Sequence, residues 1–303
     1  MAQFLKPRRW AAALPLLLAL VAADSPNPTN PGRIEHLGDF PSRFVKARNV
    51  DVWLPDGYPQ PGTRYAVLYM HDGQNLFDPK KAGYGVAWEI DSTLAVLGQQ
   101  GKVRPCIVVG IWNTERRFPE YTPAKPYYAM SAAQRTQIEL ERPGPPLSDD
   151  YLKFIVRELK PYVDQHFPTS PRRADTFVAG SSMGGLISLY AALEYPKVFG
   201  GAACFSTHWP LSLKANSPAF TSAIVQYLGQ KLPRRRKPKL YFDYGSATLD
   251  AWYEPHRLRV DSVLRAHHYG PGTWQTRSFP GAPHNEAAWK KRTPLALQFL
   301  LRR

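Results

Sequence analysis

The chain has 303 residues, 44% hydrophobic and 21% charged, which is enough apolar content for one full core and excludes a disordered or fibrous polymer. A formal net charge of +15 favours acidic surfaces as partners, and only two cysteines exclude a disulfide-built scaffold.

Residues 1–23 place Lys6, Arg8 and Arg9 ahead of the apolar run AAALPLLLALVAA and end in the small residues Val21-Ala22-Ala23. That is the pattern of a cleaved signal peptide, so a secreted or periplasmic protein is expected. At roughly 13 residues the apolar run is too short to cross a bilayer, and no stable membrane anchor is expected. The Arg8-Arg9 pair leaves twin-arginine export open. Residues 24–33, DSPNPTNPGR, read as an extended linker, and one folded domain is expected over 34–303.

Strand-like runs follow at 49–54, 65–70, 106–112, 176–180, 201–205, 239–244 and 274–279. Helical spacing appears at 88–97, 148–166, 183–195, 218–228, 250–268 and 286–301. This alternation predicts an α/β fold, with a mostly parallel central sheet and helices on both faces. Cys106 and Cys204 fall in strand-like runs that are not neighbours in the usual order of such a sheet, so buried free thiols are expected. The segment 115–146 breaks the rhythm and reads as a long loop at the carboxyl end of a strand, where open α/β sheets bind ligands. Its Arg116, Arg117, Phe118, Glu120, Tyr121, Tyr127 and Tyr128 are candidate pocket residues, with Arg116, Arg117 and Tyr121 preferred as substrate contacts. The basic run Arg234-Arg235-Arg236-Lys237-Pro238-Lys239 reads as a solvated loop, and without interleaved aromatics no nucleic-acid partner is expected.

Thr176 to Tyr190 read TFVAGSSMGGLISLY, a β-branched and aromatic run turning through glycines straight into a helix. Such a turn forces its central residue into strained backbone angles and demands small neighbours, which Gly180, Gly184 and Gly185 supply. It marks Ser182 as a nucleophile and the Met183 amide, at the helix N-terminus, as an oxyanion donor. The α/β-hydrolase order requires an acid and then a histidine further along. His284, in PGAPHNEAAW after the last strand, is the candidate base. Asp250, just past LYFDYG, is the preferred acid, Glu254 the second choice, and Asp243 within the strand is read as structural. In HDGQNLFD, after the strand ending at Met70, the Gln74 amide is assigned as the second oxyanion donor. His71, Asp72 and Asp78 lack a second histidine nearby, so no metal and no cofactor are expected. His208 and Trp209, in FSTHWP, are further candidate substrate contacts; His256, His267 and His268 read as a solvated helix face.

The motifs HDGQNLFD, GIWNTERRFPEYTP, GSSMGG, STHWP, YGSATLDAWYEPH and PGAPHNEAAW together resemble the Putative esterase family of α/β-hydrolases, over about residues 34 to 303. That family includes S-formylglutathione hydrolase, enterobactin esterases, feruloyl and acetylxylan esterases, and mycobacterial mycolyltransferases. The resemblance implies a triad of Ser182, Asp250 and His284; Ala247 and Thr248 stand where some relatives carry the acid. Together these readings predict a secreted serine carboxylic-ester hydrolase acting through an acyl-enzyme. Its substrate is expected to be a small-molecule or polysaccharide-linked ester, such as an acetyl or feruloyl group on carbohydrate. The alternatives are an acyltransferase to a sugar or lipid, a siderophore esterase with Arg116 and Arg117 on an anionic ligand, and a non-catalytic carbohydrate-binding relative.

Overall fold

The computed structural model describes Met1 and residues 31–302. Apart from Met1, the signal expected at 1–23 and most of the linker expected at 24–33 lie outside the described residues. The last linker residues belong to the domain: the Pro31 carbonyl accepts the Trp53 indole N–H at 2.7 Å, and Arg33 opens the first strand.

Eight strands form one sheet in the order β1-β2-β4-β3-β5-β6-β7-β8. These are β1 Arg33–Phe40, β2 Arg48–Leu54, β3 Ala66–His71, β4 Cys106–Ile111, β5 Thr176–Ser181, β6 Gly201–Phe205, β7 Lys239–Gly245 and β8 Trp274–Phe279. β1 and β2 pair antiparallel, as do β2 and β4; from β4 to β8 every pairing is parallel. β1 was not expected from sequence. It is an edge strand whose side chains are mostly exposed, so RIEHLGDF carries little of the apolar alternation that marks a strand.

The central strands are buried on both faces, and their alternating side chains feed two cores. Val67 and Tyr69 point into a core with Val109, Val178 and Ile187, while Leu68 and Met70 point to the other side with Val108, Phe177 and Leu297. The second core is covered by α1 (Ile90–Gln99) and α10 (Glu286–Leu301). The first is covered by α5 (Ser148–Phe154), α6 (Lys160–His166), α7 (Met183–Glu194), α8 (Ala219–Lys231) and α9 (Tyr253–Ala266). A π-helical turn, Ile155–Leu159, joins α5 to α6. Pro161 lies just beyond it and has no N–H to donate, and a lost bond of that kind is a common cause of such a widening. Cys106 and Cys204 are free and buried on β4 and β6, with β3 and β5 between them.

The long loop expected at 115–146 is instead largely helical. It folds as α2 (Arg117–Tyr121), α3 (Ala124–Ala129) and α4 (Ala132–Glu141). The first two are too short to show a period, and Pro119 and Pro126 sit in first turns, where a missing N–H costs nothing. α4 carries a legible signal, a capping box between Ser131 and Gln134.

After β3 the chain crosses to β4 on one side, and β5 returns to the other flank of β3. The carboxyl ends of β3 and β5 therefore diverge at a topological switch point, where open α/β sheets form crevices. β5 and α7 meet there through glycine: a Cβ on Gly180 would lie 2.9 Å from the Gly184 carbonyl carbon and oxygen. Gly180→Ala is expected to push strand and helix apart and to lower stability by about 1–3 kcal/mol, read from urea unfolding midpoints.

Candidate active site

Ser182 stands alone between β5 and α7, with φ 56° and ψ −118°. Its backbone is held on both sides. Its N–H donates to the Phe205 carbonyl at 2.9 Å, while its carbonyl accepts from Gly185 at 3.0 Å and His208 at 3.2 Å. A Cβ on Gly185 would fall 2.7 Å from Thr207 Oγ1, so the turn closes only on a bare backbone. Backbone strain of this kind persists only where its surroundings over-determine it.

His284 lies on the turn between β8 and α10, and its Nδ1 meets Asp250 Oδ1 at 2.6 Å. Its backbone N–H donates to Thr248 Oγ1 at 2.9 Å. The ring packs edge-on between Tyr253 and Trp289, at 5.7 and 5.0 Å between centroids. Asp250 sits in a 3₁₀ turn, Thr248–Trp252, that follows β7, and is 1% exposed. Its Oδ2 accepts from Ser206 Oγ at 2.6 Å and from the Gly245 N–H at 2.5 Å. Ser206 Oγ in turn accepts from Trp289 Nε1 at 3.0 Å and Arg292 Nη2 at 2.9 Å. Burial alone would raise the Asp250 pKa, but the hydrogen bond and charge of His284, with the Ser206 and Gly245 donors, hold it below the ordinary carboxylate value. A carboxylate accepting from Nδ1 fixes the tautomer that leaves Nε2 as the basic nitrogen.

The two other acids considered from sequence point elsewhere. Asp243 accepts from the Ser206 N–H and from the Tyr241 hydroxyl, both at 3.3 Å, and burial pushes it up to about 7. Glu254 accepts from the Tyr244 hydroxyl at 3.4 Å.

The loop after β3 is the third piece. Asp72 adopts a left-handed conformation (φ 58°) and leads into a 3₁₀ turn, Gly73–Asn75. Gly73 presses on β4, since a Cβ there would lie 2.4 Å from the Gly110 carbonyl carbon. The Met183 amide opens α7 and the Gln74 amide is the second of its 3₁₀ turn, positions where N–H groups have no intrahelical acceptor. Asp72 is clamped: Arg117 grips it bidentately, Nε to Oδ1 and Nη2 to Oδ2, both at 2.7 Å. Asn113 Nδ2 donates to Oδ1 at 2.6 Å, and the Asp72 N–H donates to the Tyr121 hydroxyl at 3.3 Å. Burial alone would raise the Asp72 carboxyl; the Arg117 charge and hydrogen bonds outweigh it and hold the pKa low. Beside it, His71 Nδ1 meets the Tyr151 hydroxyl at 2.8 Å.

These pieces surround one cleft of about 680 Å³ at the switch point. Ser182, His284, Gln74, Asp72 and Arg117 line it, together with Tyr84, Val86, Trp88, Asn113 and Glu286, which sequence reasoning missed. Tyr84 and Val86 lie between β3 and α1, outside any expected element, and Trp88, expected to open a helix, lies just ahead of α1; Tyr84 is 79% exposed. Of the substrate contacts expected from sequence, only Arg117 lines the cleft, and its guanidinium is engaged by Asp72. Arg116 is exposed and outside it, and Tyr121 is buried beneath the Asp72 loop. His208 and Trp209 are each 1% exposed: His208 Nδ1 meets the Tyr253 hydroxyl at 2.9 Å, and Trp209 packs on Phe242. His208 backs onto Tyr253, which packs on His284, and neither His208 nor Trp209 lines the cleft. His256 is also buried, between Thr221 and Asn216, and not on a solvated face. Among the described residues, no three His, Cys, Asp or Glu side chains converge as a metal set.

Burial lowers His71 and His208 from 6.5 to about 3, with Arg117 adding to the effect at both and His284 at His208, so both are neutral in the fold. A depressed folded pKa gives stability that is present above the unfolded value and lost as pH falls from about 6.5 towards 3. At pH 5 each histidine accounts for a loss of about 2 kcal/mol. The stability of His208→Gln is expected to fall by about that much less than wild type between pH 7.5 and 5, measured by urea unfolding; parallel pH profiles would refute it.

Residues 42–301 match the Putative esterase family. The chain is 26% identical to the Uncharacterized protein YbbA of Bacillus subtilis (strain 168), over 54% of this chain and 58% of that one. It is 25% identical to the Endo-1,4-beta-xylanase/feruloyl esterase of Xylanibacter ruminicola, over 61% of this chain and 23% of that one. The matched segments thus span little more than half of the first relative and about a quarter of the second. Among solved structures, a ferulic acid esterase superposes with a TM-score of 0.64 at 17% identity, covering 89% of this chain and 98% of that one, which shows a shared fold. With the family pattern running from before β2 to the end of α10, the chain belongs to the Putative esterase family.

Proposed function

We propose that this chain is a serine carboxylic-ester hydrolase, with Ser182 as nucleophile, His284 as base and Asp250 as the acid that orients it. The observation that carries this reading is the strained Ser182 turn opening onto the same cleft as a histidine whose Nδ1 is fixed on a buried carboxylate. Ser182 Oγ attacks the ester carbonyl carbon while His284 Nε2 takes its proton. The Gln74 and Met183 amides hold the oxyanion. The carbon–oxygen bond to the alcohol then breaks as His284 returns the proton to the leaving oxygen. Water attacks the acyl-enzyme by the same route and frees the acid and Ser182. Asp250 remains ionised throughout, stabilising the imidazolium.

An acyl ester of carbohydrate is the substrate class this reading favours. Trp88, Val86 and exposed Tyr84 offer an apolar and aromatic wall beside Ser182, which suits an aromatic acyl group, and one relative is named a feruloyl esterase. The amino-terminal signal pattern supports export.

With nitrophenyl and feruloyl esters, Ser182→Ala is expected to lower kcat by about 10⁴-fold or more and Asp250→Asn by about 10³–10⁴-fold, both with native unfolding profiles. Full turnover in Ser182→Ala, or no labelling of wild type by a fluorophosphonate, would overturn the assignment. Arg117→Lys keeps the charge but cannot grip Asp72 bidentately. It is expected to reduce kcat by about 10-fold with little change in KM, because the clamp positions the Gln74 amide and does not bind substrate; a change confined to KM would instead place Arg117 on the substrate.

A further inference from the structure

Because β3 to β8 run parallel, their amino ends share one edge of the sheet, opposite the cleft. Strands of about six residues separate the two ends by about 20 Å. That amino edge is basic almost throughout. Arg64 precedes β3, Arg104 precedes β4, Arg172 and Arg173 precede β5, Lys239 opens β7, and Arg302 follows α10.

These cations form a continuous belt. Arg64, Arg104 and Arg172 line one groove of about 830 Å³. Lys102, Lys239, Arg277 and Arg302 line a second, of about 530 Å³, which has no acidic side chain. Arg104 bridges the two grooves: its Nη2 donates to the Arg302 carbonyl and its Nη1 to Asp175, which Arg172 also grips. Arg173 extends the belt to the exposed run Arg234-Arg235-Arg236 by donating to the Arg236 carbonyl at 2.8 Å. Of the two carboxylates in the first groove, Asp175 is already shared by two arginines and Asp164 is taken by Lys160. Lys239 is held below its ordinary value by burial and then by Arg104 and Arg302, and Arg173 by burial, which Tyr269 opposes in part and to which Arg236 adds least. Like charges are thus packed here beyond what the chain's own acids neutralise, an arrangement that costs stability and is relieved by a bound polyanion.

We propose that the amino edge of the sheet is a docking face for a linear polyanionic polysaccharide, carboxylated or sulfated, which tethers the protein while the cleft at the opposite end stays open. The grooved shape fits a chain better than a flat bilayer. Phe299 is the single aromatic lining the two grooves, and the Lys239 ammonium already lies over its ring at 5.9 Å, so base stacking of the kind single-stranded nucleic acids use has no platform.

The test uses fluorescent polygalacturonate and heparin with the full chain, measured by anisotropy at two salt concentrations. Binding that weakens steeply with salt is expected. The variant Lys102→Gln, Arg234→Gln, Arg235→Gln, Arg302→Gln touches side chains outside the belt's ion pairs and is expected to bind about 10-fold or more weakly, with nitrophenyl ester turnover unchanged. A control of equal charge, Lys80→Gln, Lys81→Gln, Lys214→Gln, Lys291→Gln, is expected to lose about 2-fold at most. Equal losses in the two variants would reduce the effect to net charge and overturn the proposal. Tighter binding to duplex DNA or to phosphatidylglycerol vesicles than to either polysaccharide would overturn its choice of partner.

Discussion

The carboxylate of Asp250 is the point on which four separate stretches of chain converge. It receives an N–H from the end of β7, a hydroxyl from the residue after β6, the imidazole from the turn after β8, and, through Ser206, the indole and guanidinium of α10. A charge so deeply buried is tolerable only when all its lone pairs are occupied. That demand fixes where α10 lies on the sheet and how far the β8 turn reaches. The same convergence gives His284 one orientation, so the position of its imidazole follows from satisfying a buried carboxylate. The Ser182 turn, tied to Phe205 at the end of β6, is held by the strand that also delivers Ser206.

What could be read from sequence was whatever depends on a few neighbouring residues. Strands β2 to β7 announced themselves by strand-like runs, because strands buried on both faces have little polar side to interrupt them, and the long helices by their helical spacing. The Ser182 turn announced itself because close approach of β5 and α7 admits only small residues around it. β1 was illegible because an edge strand buries little, and α2 and α3 because one turn and a half has no period. Partners far apart in sequence were the harder part. Nothing local in Arg117 says that it will close on Asp72, 45 positions earlier. Nor does FSTHWP reveal that His208 and Trp209 will turn inward, since an aromatic after a strand packs down as readily as it faces solvent. Ser206, between them and the strand, carries no local signal of its role as the relay between α10 and Asp250.

The sheet gives the molecule a polarity that its composition alone conceals. Strand carboxyl ends carry the cleft, with its clamped Asp72 and its aromatic wall, while strand amino ends carry the basic edge. A uniform excess of cations spread over the surface would crowd the cleft with positive potential. Concentrating much of it at the far edge leaves the field around Ser182 to local donors, namely the two helical-turn amides and Arg117, whose charge Asp72 balances.

The bidentate grip of Arg117 on Asp72 also says something about how such a domain can diversify. The helices of residues 117–141 are an excursion between β4 and α5 whose Tyr121, Tyr127 and Ile138 are buried in the first core. The segment also reaches across to hold the left-handed residue that leads into the Gly73–Asn75 turn. A transplanted segment must therefore bring its own guanidinium to the same spot, or the Asp72 carboxylate is left buried without its charge partner. Exchange of this segment and the geometry of the loop beside Ser182 are thus coupled through one salt bridge.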